Sequence, residues 1–389
     1  MEGWKTYRLE DLTIDGKGHY GIGAPAVDFD ENKFTYLRIT DINDDGSINY
    51  SGLKSVDDPD AKKYILKEGD IVFARTGNST GRSYYYESSD GQFVFAGFLI
   101  KFSLDPAKVN PRFLKYYTHS KAYYEWVQSF DTGATRGNIN AQTYGSMEIK
   151  LPPRAVQNRL VEILSSMDDK IKLNNRINHN LEDCLFSLYI RLLENQCGSS
   201  TIGQVSERIY SGGTPDTKNS DFWGGAINWL SSGETSERFI IDTEKRITEN
   251  GVRHSSTKYA SKYDVVIASA GQGNTRGQTS MTLLNTCINQ SVIVIHANSV
   301  EAPAIFCSLA NRYDELRAIS DASSIRGSLT TKMISALEIP IFPEVESVKF
   351  SSQAMCLIDQ IENNLRENRS LKEQRDTLLP KLMGGGLCK

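Results

Sequence analysis

Cysteine is sparse and scattered. The six in this 389-residue chain (Cys184, Cys197, Cys287, Cys307, Cys356 and Cys388) form no CxxC pair. That excludes spaced-thiolate zinc sites and a disulfide framework, and it implies a reducing cytoplasm. Histidine is scarcer still: His19, His119, His179, His254 and His296 show no metal-ligand spacing. No apolar run is long enough for a membrane span, and Met1-Glu2-Gly3-Trp4-Lys5 lacks the charged-then-apolar pattern of a secretory signal. A GxxxxGK[ST] phosphate loop, a serine elbow and a clustered set of nuclease carboxylates are all missing. Excess positive charge is absent too, with 44 basic against 48 acidic residues and a net charge of -4. A broad basic face for nucleic acid is therefore excluded. Any such binding must use local arginine clusters or a partner's charges. What is present is an ordinary globular composition, 39% hydrophobic, long enough for two or three domains.

The organising feature is an internal repeat. Leu164, Met167, Ile171, Asn174, Asn178, Leu181, Leu185, Leu188 and Leu192 step by three and four, an a/d heptad series with no proline after Pro153. Adding 190 gives Ala354, Leu357, Ile361, Asn364, Asn368, Leu371, Arg375, Leu378 and Leu382. Both series carry asparagine at the same two central seam positions. Such amides cost stability but specify register, because one alignment lets them pair. The pattern predicts two helices of ~40 residues, roughly 60 Å each. Arg375 and Pro380 depart from it, so the second helix is expected to fray or bend near its end.

The segments before each helix match in order. Residues 69–77 (GDIVFARTG) parallel 263–271 (YDVVIASAG), each a buried strand running into a glycine turn. Pro111-Arg112-Phe113-Leu114 parallels Pro303-Ala304-Ile305-Phe306, a proline opening a short helix. Glu148-Ile149-Lys150-Leu151-Pro152 parallels Leu337-Glu338-Ile339-Pro340, a strand ending in proline. The reading is α+β: two globular domains separated by two long antiparallel coiled-coil-like helices, related by a pseudo-twofold. The expected boundaries are 1–153, 154–197 for the central helix, 198–343, and 344–389 for the C-terminal helix.

Two kinds of loop carry the residue types that read nucleic acid. Arginine can grip guanine bidentately, asparagine can grip adenine, and glycine lets backbone approach phosphate. In the first domain the candidates are Arg75, Thr76, Asn78, Ser79, Thr80 and Arg82, then Arg136, Asn138 and Asn140. In the second they are Gln272, Asn274, Thr275 and Arg276, then Ser323, Ser324, Arg326 and Ser328. The competing reading is of glycine hairpins with solvated polar tips, and of arginines paired to local carboxylates. Tyr84, Tyr85 and Tyr86 could stack on bases, although strand alternation places at least one in the core. Three other strings mislead. Gly16-Lys17-Gly18-His19-Tyr20-Gly21 matches GxGxxG, but Pro25 and acidic residues follow where a dinucleotide site needs a helix. The segment 41–48 resembles a calcium loop without its closing glutamate, and reads as a turn. Asn110-Pro111-Arg112-Phe113 lacks the second proline of an adenine methyltransferase signature and reads as a helix start.

The domain–helix–domain–helix order resembles the specificity subunit of type I restriction–modification systems, over the whole chain. So do several phrases: residues 37–46 (LRITDINDDG), Ser211-Gly212-Gly213-Thr214-Pro215 with Phe222-Trp223 and Ile227-Asn228-Trp229-Leu230, and Leu378-Leu379-Pro380-Lys381-Leu382-Met383. The resemblance implies that each globular part is a target-recognition domain reading half of a bipartite duplex site, with the helices as spacer. It implies partners: two modification subunits, which carry S-adenosylmethionine and methylate adenine, and restriction subunits. This chain would then hold no cofactor or metal and catalyse nothing. The alternatives are a self-contained methyltransferase or nuclease, against which the missing motifs count, and a coiled-coil adaptor that binds proteins only.

Overall fold

The computed structural model describes residues 3–130, 137–271, 275–322 and 327–383. The chain forms two compact units. One holds the described residues up to Lys170 and those from Leu371 onward, and the other is Ile171–Ser370.

In the first unit, β1 (Lys5–Arg8) is followed by β2 (His19–Tyr20), β3 (Ala26–Val27), β4 (Phe34–Leu37) and β5 (Lys54–Val56). Then come β6 (Asp70–Ala74), β7 (Ser83–Tyr85), β8 (Phe93–Phe95), β9 (Leu99–Ser103) and β10 (Glu148–Leu151). They form sheets ordered β2-β9-β6-β7 and β3-β5-β4-β8, with β1 paired to β10. Short helices Pro111–Tyr117, Lys121–Gln128 and Ala141–Gly145 pack beside them. The first starts as its sequence predicts: the Asn110 side chain accepts from the Arg112 N–H, ahead of a proline whose missing N–H costs nothing there.

In the second unit the strands are β11 (Gly198–Thr201), β12 (Arg208–Ser211), β13 (Trp223–Leu230), β14 (Phe239–Ile240), β15 (Lys245–Ile247) and β16 (Lys258–Ala260). β17 (Val265–Ala268), β18 (Thr279–Thr282), β19 (Thr286–Ile288), β20 (Val292–His296) and β21 (Glu338–Ile341) follow. The orders are β12-β20-β17-β18-β14 and β15-β13-β19-β16, with β11 paired to β21. The topology repeats that of the first unit. β6 lies antiparallel between β7 and β9 as β17 does between β18 and β20, and β4 pairs in parallel with β8 as β13 does with β19.

Two helices of 40 residues, Arg154–Leu193 and Glu344–Met383, each contribute to both units. Leu160, Val161 and Leu164 of the central helix join Leu379 and Leu382 in the first core, with Phe73, Phe113 and Ile149. Leu185, Tyr189 and Leu192 join Phe350, Ala354, Ile358 and Ile361 in the second. Within the second unit the helices run antiparallel. Asn174 Nδ2 donates to Asn368 Oδ1 at 2.9 Å, and Asn364 Nδ2 to Asn178 Oδ1 at 2.7 Å.

Two expectations need correction. The C-terminal helix does not fray at Arg375 or Pro380 but continues to Met383. Leu379 and Leu382, on either side of the proline, are buried, and Arg375 meets a carboxylate, Asp168, at 3.0 Å. Apolar packing and an ion pair thus offset one lost backbone bond. The Tyr84–Tyr86 run does not offer faces for stacking either: all three rings are buried, with Tyr84 and Tyr86 edge-on to Phe93. Among the described residues no helix is long and apolar enough to cross a membrane.

Candidate DNA interface

The loops singled out in each half leave the same strand in the same way. After β6, the Gly81 N–H donates to the Ala74 carbonyl at 3.0 Å, and the Ile139 N–H to the Arg75 carbonyl at 3.0 Å. After β17, the Gly277 N–H donates to the Ala268 carbonyl at 2.9 Å, and the Leu329 N–H to the Ser269 carbonyl at 2.8 Å. In each module a loop distant in sequence is thereby fastened to the strand-end loop. At the strand's start a buried carboxylate does matching work: Asp70 accepts from the Lys67 N–H at 2.9 Å, and Asp264 from the Ser261 N–H at 2.8 Å.

Aromatic side chains support the first module's loops from below. Phe73 stacks on Tyr144 with centroids 4.7 Å apart. The Tyr144 hydroxyl donates to the Ala74 carbonyl at 2.9 Å, and that of Tyr123 to the Gly81 carbonyl at 2.6 Å. Burial pushes both phenols well up, so they remain donors. Gly81 has φ +87°, and a Cβ there would lie 2.5 Å from Val127 Cγ1, so only glycine fits.

The candidate side chains then divide. Asn78 and Asn138 are exposed, and Arg75 and Thr76 are half-buried. Arg75 lies over the Tyr20 ring, 5.1 Å from its centroid, with Nε 3.4 Å from Asn138 Oδ1. Ser79 is buried. Thr80 Oγ1 lies 2.8 Å from the Gly77 carbonyl in its own loop and 3.0 Å from that of Gly137 in the second loop, tying the two together. Arg82 is committed within the fold: Nε donates to Asp44 at 2.6 Å and Nη1 to the Ile42 carbonyl at 2.9 Å. The segment that resembled a calcium loop is thus a turn whose carboxylate receives an arginine. Asn140 caps the helix Ala141–Gly145 by accepting from the Thr143 N–H at 2.9 Å.

In the second module Arg276 is also committed. It is buried, donates to the Gly327 carbonyl at 2.7 Å and pairs with Asp321. Thr275 and Ser328 are half-buried, and Thr330 caps the helix Thr331–Ala336 as Asn140 caps its counterpart. Arg136, Gln272, Asn274, Ser323, Ser324 and Arg326 lie outside the described residues. Among the described residues no group of three or more His, Cys, Asp or Glu side chains could hold a metal ion.

Residues 1–183 match the family model of the type I restriction modification DNA specificity domain. The specificity subunit of the type I restriction enzyme HindI from Haemophilus influenzae is 21% identical, across 99% of this chain and 100% of that one. That of EcoR124I/EcoR124II from Escherichia coli is 23% identical, over 64% of this chain and 65% of that one. Residues 1–183 thus resemble the type I DNA specificity domain, and the chain as a whole is similar to type I specificity subunits. The fold agrees: the S subunit of such a system from M. genitalium superposes with a TM-score of 0.59 at 18% identity, covering 98% of this chain and 96% of that one.

Sequence reading missed two exposed aromatics beside the first module's loops. Tyr20 is 42% and Phe98 60% exposed. Tyr20 sat inside the GxGxxG string and was set aside with it. The Tyr20 hydroxyl accepts from the Ala141 N–H at 3.1 Å, and the Phe98 carbonyl accepts from the Arg75 N–H at 3.1 Å. The glycine that closes the string has a packing role: a Cβ on Gly21 would meet the Ala96 carbonyl oxygen at 2.2 Å. Gly212, its counterpart, would meet that of Ile288 at 2.1 Å. The Ser211-Gly212-Gly213 phrase therefore marks a strand that must approach its neighbour's backbone closely.

Proposed function

We propose that this chain is the DNA-reading subunit of a type I restriction–modification complex, each of its two modules contacting one half of a bipartite duplex site. The observation that carries the reading is the repeat of one loop architecture at the end of β6 and of β17, fastened by the same backbone bonds, with unlike residues in the two loops. A doubled frame with different displays suits two unlike half-sites.

In this reading the recognition domains are residues 1–153 and 198–343, and the helices 154–197 and 344–389 form the spacer on which the catalytic partners dock. Two modification subunits bring S-adenosylmethionine and the methyl-transfer chemistry, restriction subunits bring cleavage, and the chain itself turns over no substrate. The complex works in the cytoplasm, where its DNA is. With a chain net charge of -4, much of the phosphate neutralisation falls to those partners.

The test is methylome sequencing of cells that express the chain with its cognate modification subunit. A bipartite adenine-methylated motif of fixed gap, absent when the chain is omitted, is the expected result. No new methylation from an assembled complex would refute the reading and favour a protein-only adaptor. Methyl transfer by the isolated chain would overturn its non-catalytic role.

A further inference from the structure

Backbone pairing places the two modules in residue-by-residue correspondence at the reading end. In the first, Phe73 lies opposite Ile100, which lies opposite Tyr20, and Ala74 lies opposite Leu99. In the second, Ile267 lies opposite Ile293, which lies opposite Ser211, and Ala268 lies opposite Val292. One residue further, the Arg75 N–H donates to the Phe98 carbonyl at 3.1 Å, and the Ser269 N–H to the Ser291 carbonyl at 2.8 Å. Arg75, Tyr20 and Phe98 therefore stand where the second module has Ser269, Ser211 and Ser291.

The same backbone is built on three serines, so the frame does not need the three large side chains. They are costly as surface. Phe98 is 60% exposed at the turn between β8 and β9, and Tyr20 42% exposed. Arg75 also differs from the other loop arginines described. Arg82 and Arg276 are each tied to a carboxylate and a carbonyl, whereas no described residue pairs with the terminal nitrogens of Arg75. Its guanidinium is nonetheless oriented, by the Tyr20 face 5.1 Å away and by Asn138 Oδ1 at 3.4 Å from Nε. Tyr20 is in turn pinned by the Ala141 N–H, at the start of the helix that Asn140 caps. A planar fork held by its inner nitrogen and one face, with no described residue bonded to its outer edge, fits the O6/N7 edge of guanine in the major groove.

Building on the proposed function, we infer that Arg75, positioned by Tyr20 and Asn138, reads a guanine in the half-site of the first module alone. Phe98 supplies an apolar contact to the adjoining base pair. The second module, with serines at these positions, reads its half-site without such a contact.

The test compares methylomes directed by the full complex carrying wild-type chain, Arg75→Lys, Arg75→Ser, Tyr20→Ser and Phe98→Ser, with assembly checked by gel filtration. The wild-type motif should hold a guanine in one half-site. Arg75→Ser should lower preference for it by roughly ten- to hundredfold, the range of a bidentate arginine–guanine pair. Arg75→Lys should keep overall methylation while losing part of that preference, and Tyr20→Ser should weaken it at the same position. Phe98→Ser should relax the neighbouring position. The other half-site and the gap should not change. An intact motif in Arg75→Ser would overturn the inference. So would full rescue by lysine, or an even loss at every site, since either marks a phosphate contact. A wild-type chain that directs no bipartite methylation would instead sink the proposed function itself, a result distinct from all of these.

Discussion

Replacing the Asp168–Arg375 pair tests how the long helices are fixed to the first unit. Asp168 is buried and has three partners: Arg375 Nη1 at 3.0 Å, Lys115 Nζ at 3.0 Å and the Tyr116 hydroxyl at 2.9 Å. Burial works to raise its carboxyl, but Lys115 and Arg375 outweigh that and hold it below the ordinary carboxylate value. At the repeat-related positions the second unit carries Ile358 and Leu185, both fully buried in its core. One structural slot is filled by an ionic pair in one unit and an aliphatic pair in the other.

Asp168→Ile leaves Lys115 and Arg375 facing each other without their shared carboxylate, a change that costs about 3–5 kcal/mol when a buried pair is broken. Arg375 keeps Asp376 at 2.9 Å, which places the cost at the lower end. Arg375→Leu leaves Asp168 with Lys115 and Tyr116, so its cost should be smaller, about 2 kcal/mol. The double variant transplants the second unit's pair. Lys115, with a side chain 23% exposed, can turn to water. The double variant should therefore recover at least about 2 kcal/mol relative to the sum of the single changes. Two units need not unfold together, so the readout is hydrogen exchange resolved on residues 154–170 and 371–383, alongside denaturant unfolding of the full chain. Additive single costs, or a neutral Asp168→Ile, would refute the claim that the charges act as one buried set.

His119 makes the same unit sensitive to acid. Burial, then Arg375 and Lys115, depress its pKa from 6.5 to about 4, against the opposing pull of Asp45 and Asp168. A depressed folded pKa means that stability is complete above pH 6.5 and falls as pH drops toward 4, by about 3 kcal/mol in all. His119→Gln should flatten thermal midpoint against pH over that window, and parallel curves would refute the assignment. Replacing Asn174, Asn178, Asn364 and Asn368 together with leucine should hold or raise the midpoint, because Asn174 Oδ1 and Asn178 Nδ2 are buried without partners. The variant should also loosen register, as read by trapping of cysteines placed across the pair, and a fall of several kcal/mol would instead mark a net stabilising network. Deleting one matched heptad from each long helix, about 10 Å of rise, should shorten the gap of the methylated motif by about three base pairs. Its half-sites should stay the same, and an unchanged gap would end the spacer model.

Periodic and local features were legible in the sequence. The heptads set both long helices, Asn110-Pro111 set a helix start, and the two glycine-terminated apolar runs became β6 and β17. Residue type also placed the candidate loops. It could not say which loop arginines are free. Arg82 and Arg276 occupy comparable sequence contexts to Arg75, but their carboxylates, Asp44 and Asp321, lie 38 and 45 residues away along the chain. Tyr20 reaches Arg75 across sheet neighbours, through β9, and no short-range pattern encodes that. Arg375 looked like a break in a heptad because Asp168, its partner, lies 207 residues off.

The two modules also show what such a frame holds constant. Asp70 and Asp264 accept the same backbone N–H at the start of their strands, yet their remaining partners differ: Lys101 and Ser103 for one, His296 for the other. Gly21 and Gly212 keep the same close approach although the residues before them are tyrosine and serine. Backbone bonds and steric necessities repeat, and the side chains pointing away from them do not. Changing a residue such as Arg75 then costs the frame little, since its side chain bonds only to the Asn138 side chain and carries none of the backbone bonds. Recognition can therefore diverge between halves at positions such as Arg75/Ser269 while the fold stays put. By the same logic Arg82 and Arg276, which do carry such bonds, are poor places to change specificity. Substitution there should loosen the loop before it alters the base that is read.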